Sequence, residues 1–318
     1  MRGFDTEFRD LDHYIRVITD RIWEGRQIER IRDYYSEGCV VETPSITTVG
    51  VEAVIKGTRD TLLQFPDRRL LAEDVVVSGD ENGGFLSSHR IFSPMTHVGP
   101  GVFGQPTFKT VFARTIADCV CKENRIIHEW LVRDQSAIAK NIGIEPQDLA
   151  LQWLGRTDGH FTKEKAPKPP QGYFSHIGTD LEIESYVSHW RSFLLDDKPR
   201  EFLGRGHVPI IAAVPGGKTI VGGDAVSEHW TTWKESWEAH QFVCEHAVIN
   251  RREDRHDTLA ARWRAHATYK GNDPRATQHS KHEIEIMAIC HADLIDGQLI
   301  REWVLIDEVA LWMQILSH

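Results

Sequence analysis

The chain has 318 residues, a length that accommodates two domains of ordinary size, and its 41 % hydrophobic content is enough to give each a core. A formal net charge of −10 with no Lys/Arg-rich block excludes the cationic surface from which nucleic-acid binding draws its affinity. No apolar run reaches the roughly 18 residues that span a bilayer. The charged start Met1-Arg2-Gly3-Phe4-Asp5 also lacks the apolar stretch of a secretory signal, so the expectation is a cytoplasmic protein with neither nucleic acid nor membrane as partner.

The first elements read as helices. Residues 7–23 set Phe8, Leu11, Tyr14, Ile15, Ile18 and Ile22 at three- and four-residue steps, the stripe of an amphipathic helix. A short helix over 28–35 follows Gly25, and a third over 51–63 closes at Phe65-Pro66-Asp67, because a proline disfavours helix in the residue before it. Strands follow at 70–77, 84–95, 107–121 and 125–134, with turns at Asp80-Glu81-Asn82-Gly83-Gly84, Gly99-Pro100-Gly101 and Glu123-Asn124. Gly99 to Gly104 spells G-x-G-x-x-G, but a dinucleotide fingerprint needs a helix directly after its glycines, and here the pattern alternates like a strand; it reads as a turn. The five cysteines (Cys39, Cys119, Cys121, Cys244, Cys290) are odd in number and scattered, which suits reduced thiols, and Cys119 and Cys121 read as packing residues on one strand face.

The chain repeats itself. Glu129-Trp130-Leu131-Val132-Arg133-Asp134 recurs 173 residues later as Glu302-Trp303-Val304-Leu305-Ile306-Asp307, and the same offset carries the preceding strand and the hairpin tips Glu123-Asn124 and Asp296-Gly297. The second copy has helices near 181–194 and 225–238 and strands at 241–250, 258–270, 282–294 and 299–305. A polar stretch rich in Pro and Gly, 156–175, reads as a linker between a domain at 1–155 and a divergent one at 176–318. Helices first and a strand meander afterwards is the α+β order in which a curved antiparallel sheet wraps its helices and leaves a conical pocket.

Three pieces in order, Phe65-Pro66-Asp67-Arg68-Arg69-Leu70, then Thr96-His97 through Gly104-Gln105-Pro106-Thr107, then Ile127-His128-Glu129-Trp130 to Asp134, give the first copy a further likeness. It resembles the SnoaL-like polyketide cyclases of the nuclear transport factor 2-like superfamily. The second copy keeps Glu302-Trp303 and Asp307 but lacks the Phe-Pro-Asp turn and has Tyr269-Lys270-Gly271-Asn272-Asp273-Pro274 in place of the His-Gly loop. The resemblance implies two tandem cone-shaped α+β barrels, a small-molecule substrate, catalysis without metal or organic cofactor, and an aspartate at Asp134 that takes a proton from an activated carbon. It also implies pairing through the sheet, as an intramolecular pseudo-dimer of the two copies or as a homodimer.

Strand alternation puts His128, Trp130, Val132 and Asp134 on one face and Glu129, Leu131 and Arg133 on the other. If the former face is concave, the Asp134 carboxylate sits in an apolar, aromatic setting whose desolvation makes it a better base. The other reading of Asp134 is a cap for the helix beginning at Gln135, and the same two readings apply to Asp307. His89 and His97 are candidates to polarise a substrate oxygen, Tyr35 to donate to an oxyanion, His128 to orient Asp134, and Trp130 and Trp303 to wall an aromatic or polyketide-like substrate. None of the 17 histidines has a compact ligand spacing, so no metal site is expected. The expected activity is of cyclase, isomerase or lyase type on a carbonyl compound. Two rivals stand beside it: an epoxide hydrolase-like enzyme in which Asp134, Arg90 and a second carboxylate activate water, and a non-catalytic binding or assembly module.

Overall fold

The computed structural model describes residues 1–168, 177–196, 198, 209–276 and 283–317. The described residues fall into two compact units, 1–145 with 162–168 and 146–161 with those from 177 on. Of the stretch read as a linker, 156–161 belongs to the second unit and 162–168 to the first, where Thr47 Oγ1 donates to the Glu164 carbonyl at 2.7 Å and Lys163 pairs with Glu42 at 3.3 Å. Residues 169–175 lie outside the described set.

In the first unit α1 (Leu11–Thr19) starts where the Asp10 side chain accepts the His13 N–H at 2.7 Å, and it runs into a π-helical turn over Asp20–Glu24. Leu11, Tyr14, Ile15, Ile18 and Ile22, spaced as the sequence pattern requires, are all buried. The expected helix over 28–35 is a 3-10 turn, Ile28–Arg30, followed by α2 (Ile31–Tyr34), and Tyr35 already begins a strand. Then come β1 (Tyr35–Glu42), β2 (Thr47–Val49), α3 (Val51–Gln64), β3 (Leu71–Asp80), β4 (Gly84–Thr96), β5 (Thr110–Lys122), β6 (Arg125–Arg133) and α4 (Gln135–Ile142). The six strands form one sheet in the order β2-β1-β6-β5-β4-β3. It is mixed rather than wholly antiparallel: β1 joins β6 in parallel, Tyr35 opposite Ile126 and Val40 opposite His128. Its concave face closes on α1 and α3 through Val75, Ala117, Cys119 and Cys121.

The second unit repeats this architecture with α5 (Pro146–Leu154), α6 (Leu181–Leu195), β7 (Ile211–Val214), β8 (Lys218–Val221), α7 (Gly223–Lys234), β9 (Trp237–Asn250), β10 (Asp257–Tyr269), β11 (Glu283–Ile295), β12 (Gln298–Ile306) and α8 (Glu308–Leu316). Its sheet runs β8-β7-β12-β11-β10-β9, again with one parallel joint, β7 to β12. The chain is thus two tandem α+β cones.

Each cone ends its last strand with the same device. Asp134 Oδ1 accepts the Ala137 N–H at 2.9 Å and the Ser136 hydroxyl at 2.8 Å, and Asp307 Oδ1 accepts the Ala310 N–H at 3.1 Å. Both aspartates are N-caps, which satisfy donors that the first helical turn leaves unpaired. Replacing Asp307 by Ala is expected to cost about 1–2 kcal/mol and Asp307→Asn much less. Urea unfolding followed by tryptophan fluorescence, which Trp190, Trp230 and Trp263 make a reporter of this unit, measures the difference.

Candidate functional site

Strand pairing decides which side chains enter the first cone. Across β4, β5 and β6 the register places Ser87 beside Cys119 and Glu129, His89 beside Ala117 and Leu131, and Ile91 beside Thr115 and Arg133. Cys119 and Ala117 pack against the helices, so this whole set lies on the concave face. His128, Trp130 and Val132 are on the opposite face, where the His128 and Trp130 rings stack at 4.1 Å. The conditional reading that set Trp130 and His128 around a cavity with Asp134 is therefore corrected: the pleat turns them away and brings Glu129 and Arg133 inward.

Inside the cone Tyr35, from the first residue of β1, donates its hydroxyl to Glu129 Oε2 at 2.9 Å. Glu129 is buried, and burial lifts its carboxyl from 4.5 to about 7, against the lowering effect of the Tyr35 hydrogen bond and the Arg133 charge. His89 shares the face, and burial, aided by the Arg16 charge, holds its imidazole down at about 3, so it is neutral near pH 7. Its Nε2, Ser93 Oγ and Thr115 Oγ1 are buried without a hydrogen-bond partner. A cluster of such atoms on one face is uncommon, and a bound group is one of the things that satisfies it. Burial also keeps the Cys119 thiol protonated, in line with a packing role.

At the mouth, Phe65, Arg68, Met95, Phe103, Arg133 and Gln135 are among the residues lining a cavity of about 50 Å³. The segments expected to matter converge here, since the loop after β4 docks on the end of α3, with Val98 and Gly99 N–H groups donating to the Gln64 carbonyl. Gly99 is required, because a Cβ there would overlap the Leu63 carbonyl. Gly101 and Gly104 bridge each other and a strand follows, so this glycine run is a turn. His97 is buried beside this cavity, its ring 5.3 Å from that of Phe65 and its Nδ1 3.2 Å from Thr107 Oγ1.

The remaining expected site residues lie elsewhere. Arg90 is on the face away from the interior of the cone and pairs with Glu73 at 3.2 Å. Trp303 pairs with His291 on the corresponding outer face of the second unit. Asp307 caps α8. Glu302, in contrast, faces inward and accepts the Tyr186 hydroxyl at 2.6 Å, so each cone buries a Glu-Tyr pair, with the tyrosine coming from β1 in one and α6 in the other.

The second cone is otherwise filled. Where the first has Ser87, His89, Ser93, Thr115 and Arg133, matched register gives Leu259, Ala261, Ala265, Ala288 and Ile306. Trp263 packs on Trp190 at 4.9 Å, and Trp190 on Trp230 at 5.2 Å, all three almost wholly buried.

The family model for SnoaL-like polyketide cyclase matches residues 14–142, the stretch that builds the first sheet and its helices. Residues 14–142 form a SnoaL-like polyketide cyclase domain. Solved structures similar to the chain include IdmH of Streptomyces antibioticus (19 % identity, 41 % of this chain and 96 % of that one, TM-score 0.36). A SnoaL-like protein of Jannaschia sp. CCS1 (17 %, 41 % and 88 %, 0.37) and TsrD of Streptomyces laurentii (16 %, 44 % and 98 %, 0.37) are others. At such values they carry no residue role to this chain. No curated protein matches its sequence. Among the described residues no helix is long and apolar enough to cross a membrane, and no group of three His, Cys, Asp or Glu is arranged to hold a metal ion.

The Glu129 proton gives a stability signature. The unfolded chain releases it near 4.5 and the folded chain near 7. Its contribution is thus fully present below about 4.5, falls as pH rises, and is lost once pH passes 7. Glu129→Gln is expected to gain stability relative to the unmodified protein across that window, by an amount on the order of 3 kcal/mol. Denaturant midpoints of the two proteins at pH 4.5 and 7.5 check it.

Proposed function

We propose that the first unit is an acid/base enzyme needing no organic cofactor, acting on a small carbonyl-containing organic molecule, with cyclisation, isomerisation or elimination following enolisation. The observation that carries this reading is that the concave face of the first cone is polar where the matched face of the second is apolar and filled by tryptophan. Glu129, with a pKa near 7, is matched to proton transfer at neutral pH. In the step, the substrate C–H bond breaks, its proton passes to the Glu129 carboxylate, and the electron pair moves onto the carbonyl oxygen as an enolate. Neutral His89, carrying its proton on Nε2, donates to that oxygen, and Tyr35 steadies the carboxylate. The second unit is a divergent copy without a catalytic role.

Asp134 is the competing base, since its neighbours Arg133 and Gln135 line the mouth cavity. Deuterium incorporation into an enolisable aromatic β-keto ester, followed by NMR in D₂O, separates the two. Glu129→Gln is expected to slow exchange by about 10²–10⁴, and Asp134→Asn to leave most of it. The reverse pattern would make Asp134 the base, and exchange no faster than in buffer would remove the enzymatic reading.

A further inference from the structure

The mouth of the first cone holds a cation that the acid/base reading does not use. Arg68 follows the Phe65-Pro66-Asp67 turn and is 6 % exposed, yet its Nε has no hydrogen-bond partner and no described carboxylate lies within ion-pair distance of its guanidinium. Glu24, the nearest source of negative potential, is taken: its Oε2 accepts from Arg69 at 2.9 Å and its Oε1 from the Leu70 N–H at 2.6 Å. What faces Arg68 instead is more positive charge, from Arg133 and Arg26. An arginine stays charged in proteins, and a buried charge without a partner is costly enough to be rare. Both Arg68 and Arg133 line the cavity of about 50 Å³, whose other walls include Phe65, Met95 and Phe103. This volume admits a group the size of a carboxylate or one or two waters, and a guanidinium fork matches a carboxylate's two oxygens.

We propose that Arg68 and Arg133 form a carboxylate-binding subsite at the mouth of the first cone, so that the molecule this unit takes is an organic acid whose carboxylate enters between Phe65, Phe103 and Met95. The proposal rests on the reading of this cone as the substrate site and narrows its substrate class. Burial together with the neighbouring cations pushes the Arg68 pKa well down, as expected of a cation that lacks its counter-charge. The anchor lies on the same concave face as the polar row of Thr115, Ser93 and His89, with Arg133 directly opposite Thr115. A carboxylate held there directs the rest of a ligand along the face that carries Glu129.

The test is calorimetric titration of the full chain with benzoate and with benzamide, its neutral counterpart. Benzoate is expected to bind at least tenfold more tightly. Arg68→Gln should abolish that preference and Arg68→Lys, which keeps the charge but loses the fork, should reduce it. A purely structural Arg68 would change thermal stability without altering the preference between the two ligands. Equal affinities, no saturable benzoate binding, or a preference that survives Arg68→Gln would overturn the proposal. Should Arg68→Gln fail to fold, Arg133→Gln carries the same comparison. Because the readout is binding, it is separable from catalysis. An Arg68-dependent preference without deuterium exchange leaves the subsite and removes the acid/base reading, and exchange without the preference does the opposite.

Discussion

Side chains alternate along a strand, and on β6 that period of two fixes the chemistry of the first cone. It sends Glu129, Leu131 and Arg133 inward and His128, Trp130 and Val132 outward. The strand ends at Arg133, so Asp134 leaves the alternation and turns its carboxylate to the N-terminus of α4. The same division holds on β12, with Glu302 inward, Trp303 outward and Asp307 capping α8. The repeated Glu-Trp-x-x-x-Asp motif therefore performs the same architectural work in both cones: one buried Glu-Tyr pair, one outward indole and one helix cap.

Function then depends on what surrounds the shared motif. A polar group buried without a partner costs free energy that an apolar group does not. At the positions matched to the first cone's polar row, the second cone avoids that cost with alanines and aliphatic residues, and three mutually packed tryptophans fill the space. The first carries His89, Ser93 and Thr115 with unpaired atoms and an arginine without a counter-charge. Sites that break the packing rules in this way are where binding and catalysis are usually found, and the loss of stability is the ordinary accompaniment of a working site. The contrast between copies of one fold is a better guide here than either copy alone.

The sequence pattern revealed the helices that carry a 3.6-residue stripe and the long strands bounded by turn residues, and the repeat revealed the duplication. The short strands β1 and β2, and β7 and β8, escaped it. Tyr35-Ser36-Glu37-Gly38-Cys39 has no clean alternation, and β1 is stabilised by a parallel partner some 90 residues away, Tyr35 beside Ile126. That distant pairing also makes the sheet mixed. Which face of β6 is concave was equally illegible, because both are buried: Trp130 and Glu129 are each at most 6 % exposed, so hydrophobic alternation gives no sign. The indole attracted the cavity assignment and the pleat reversed it. The helix cap could be read from Asp followed by a helical stretch, and it was one of the two readings of Asp134. Arg68 lies within the Phe65-Pro66-Asp67-Arg68-Arg69-Leu70 stretch that carries the family likeness, but the sequence does not show that its significance lies in the carboxylates that fail to reach it.

The central claim is that the concave face of the first cone holds a carboxylate kept from water yet able to exchange a proton near neutral pH. Carbon-13 NMR titration of the glutamate carboxyls in the full chain, with Glu129 identified as the resonance missing from Glu129→Gln, measures this directly. A midpoint near 7 is the predicted result. A midpoint at the ordinary value of about 4.3 would mean a solvated carboxylate, and would contradict the account of this face as a dry chamber built for proton transfer.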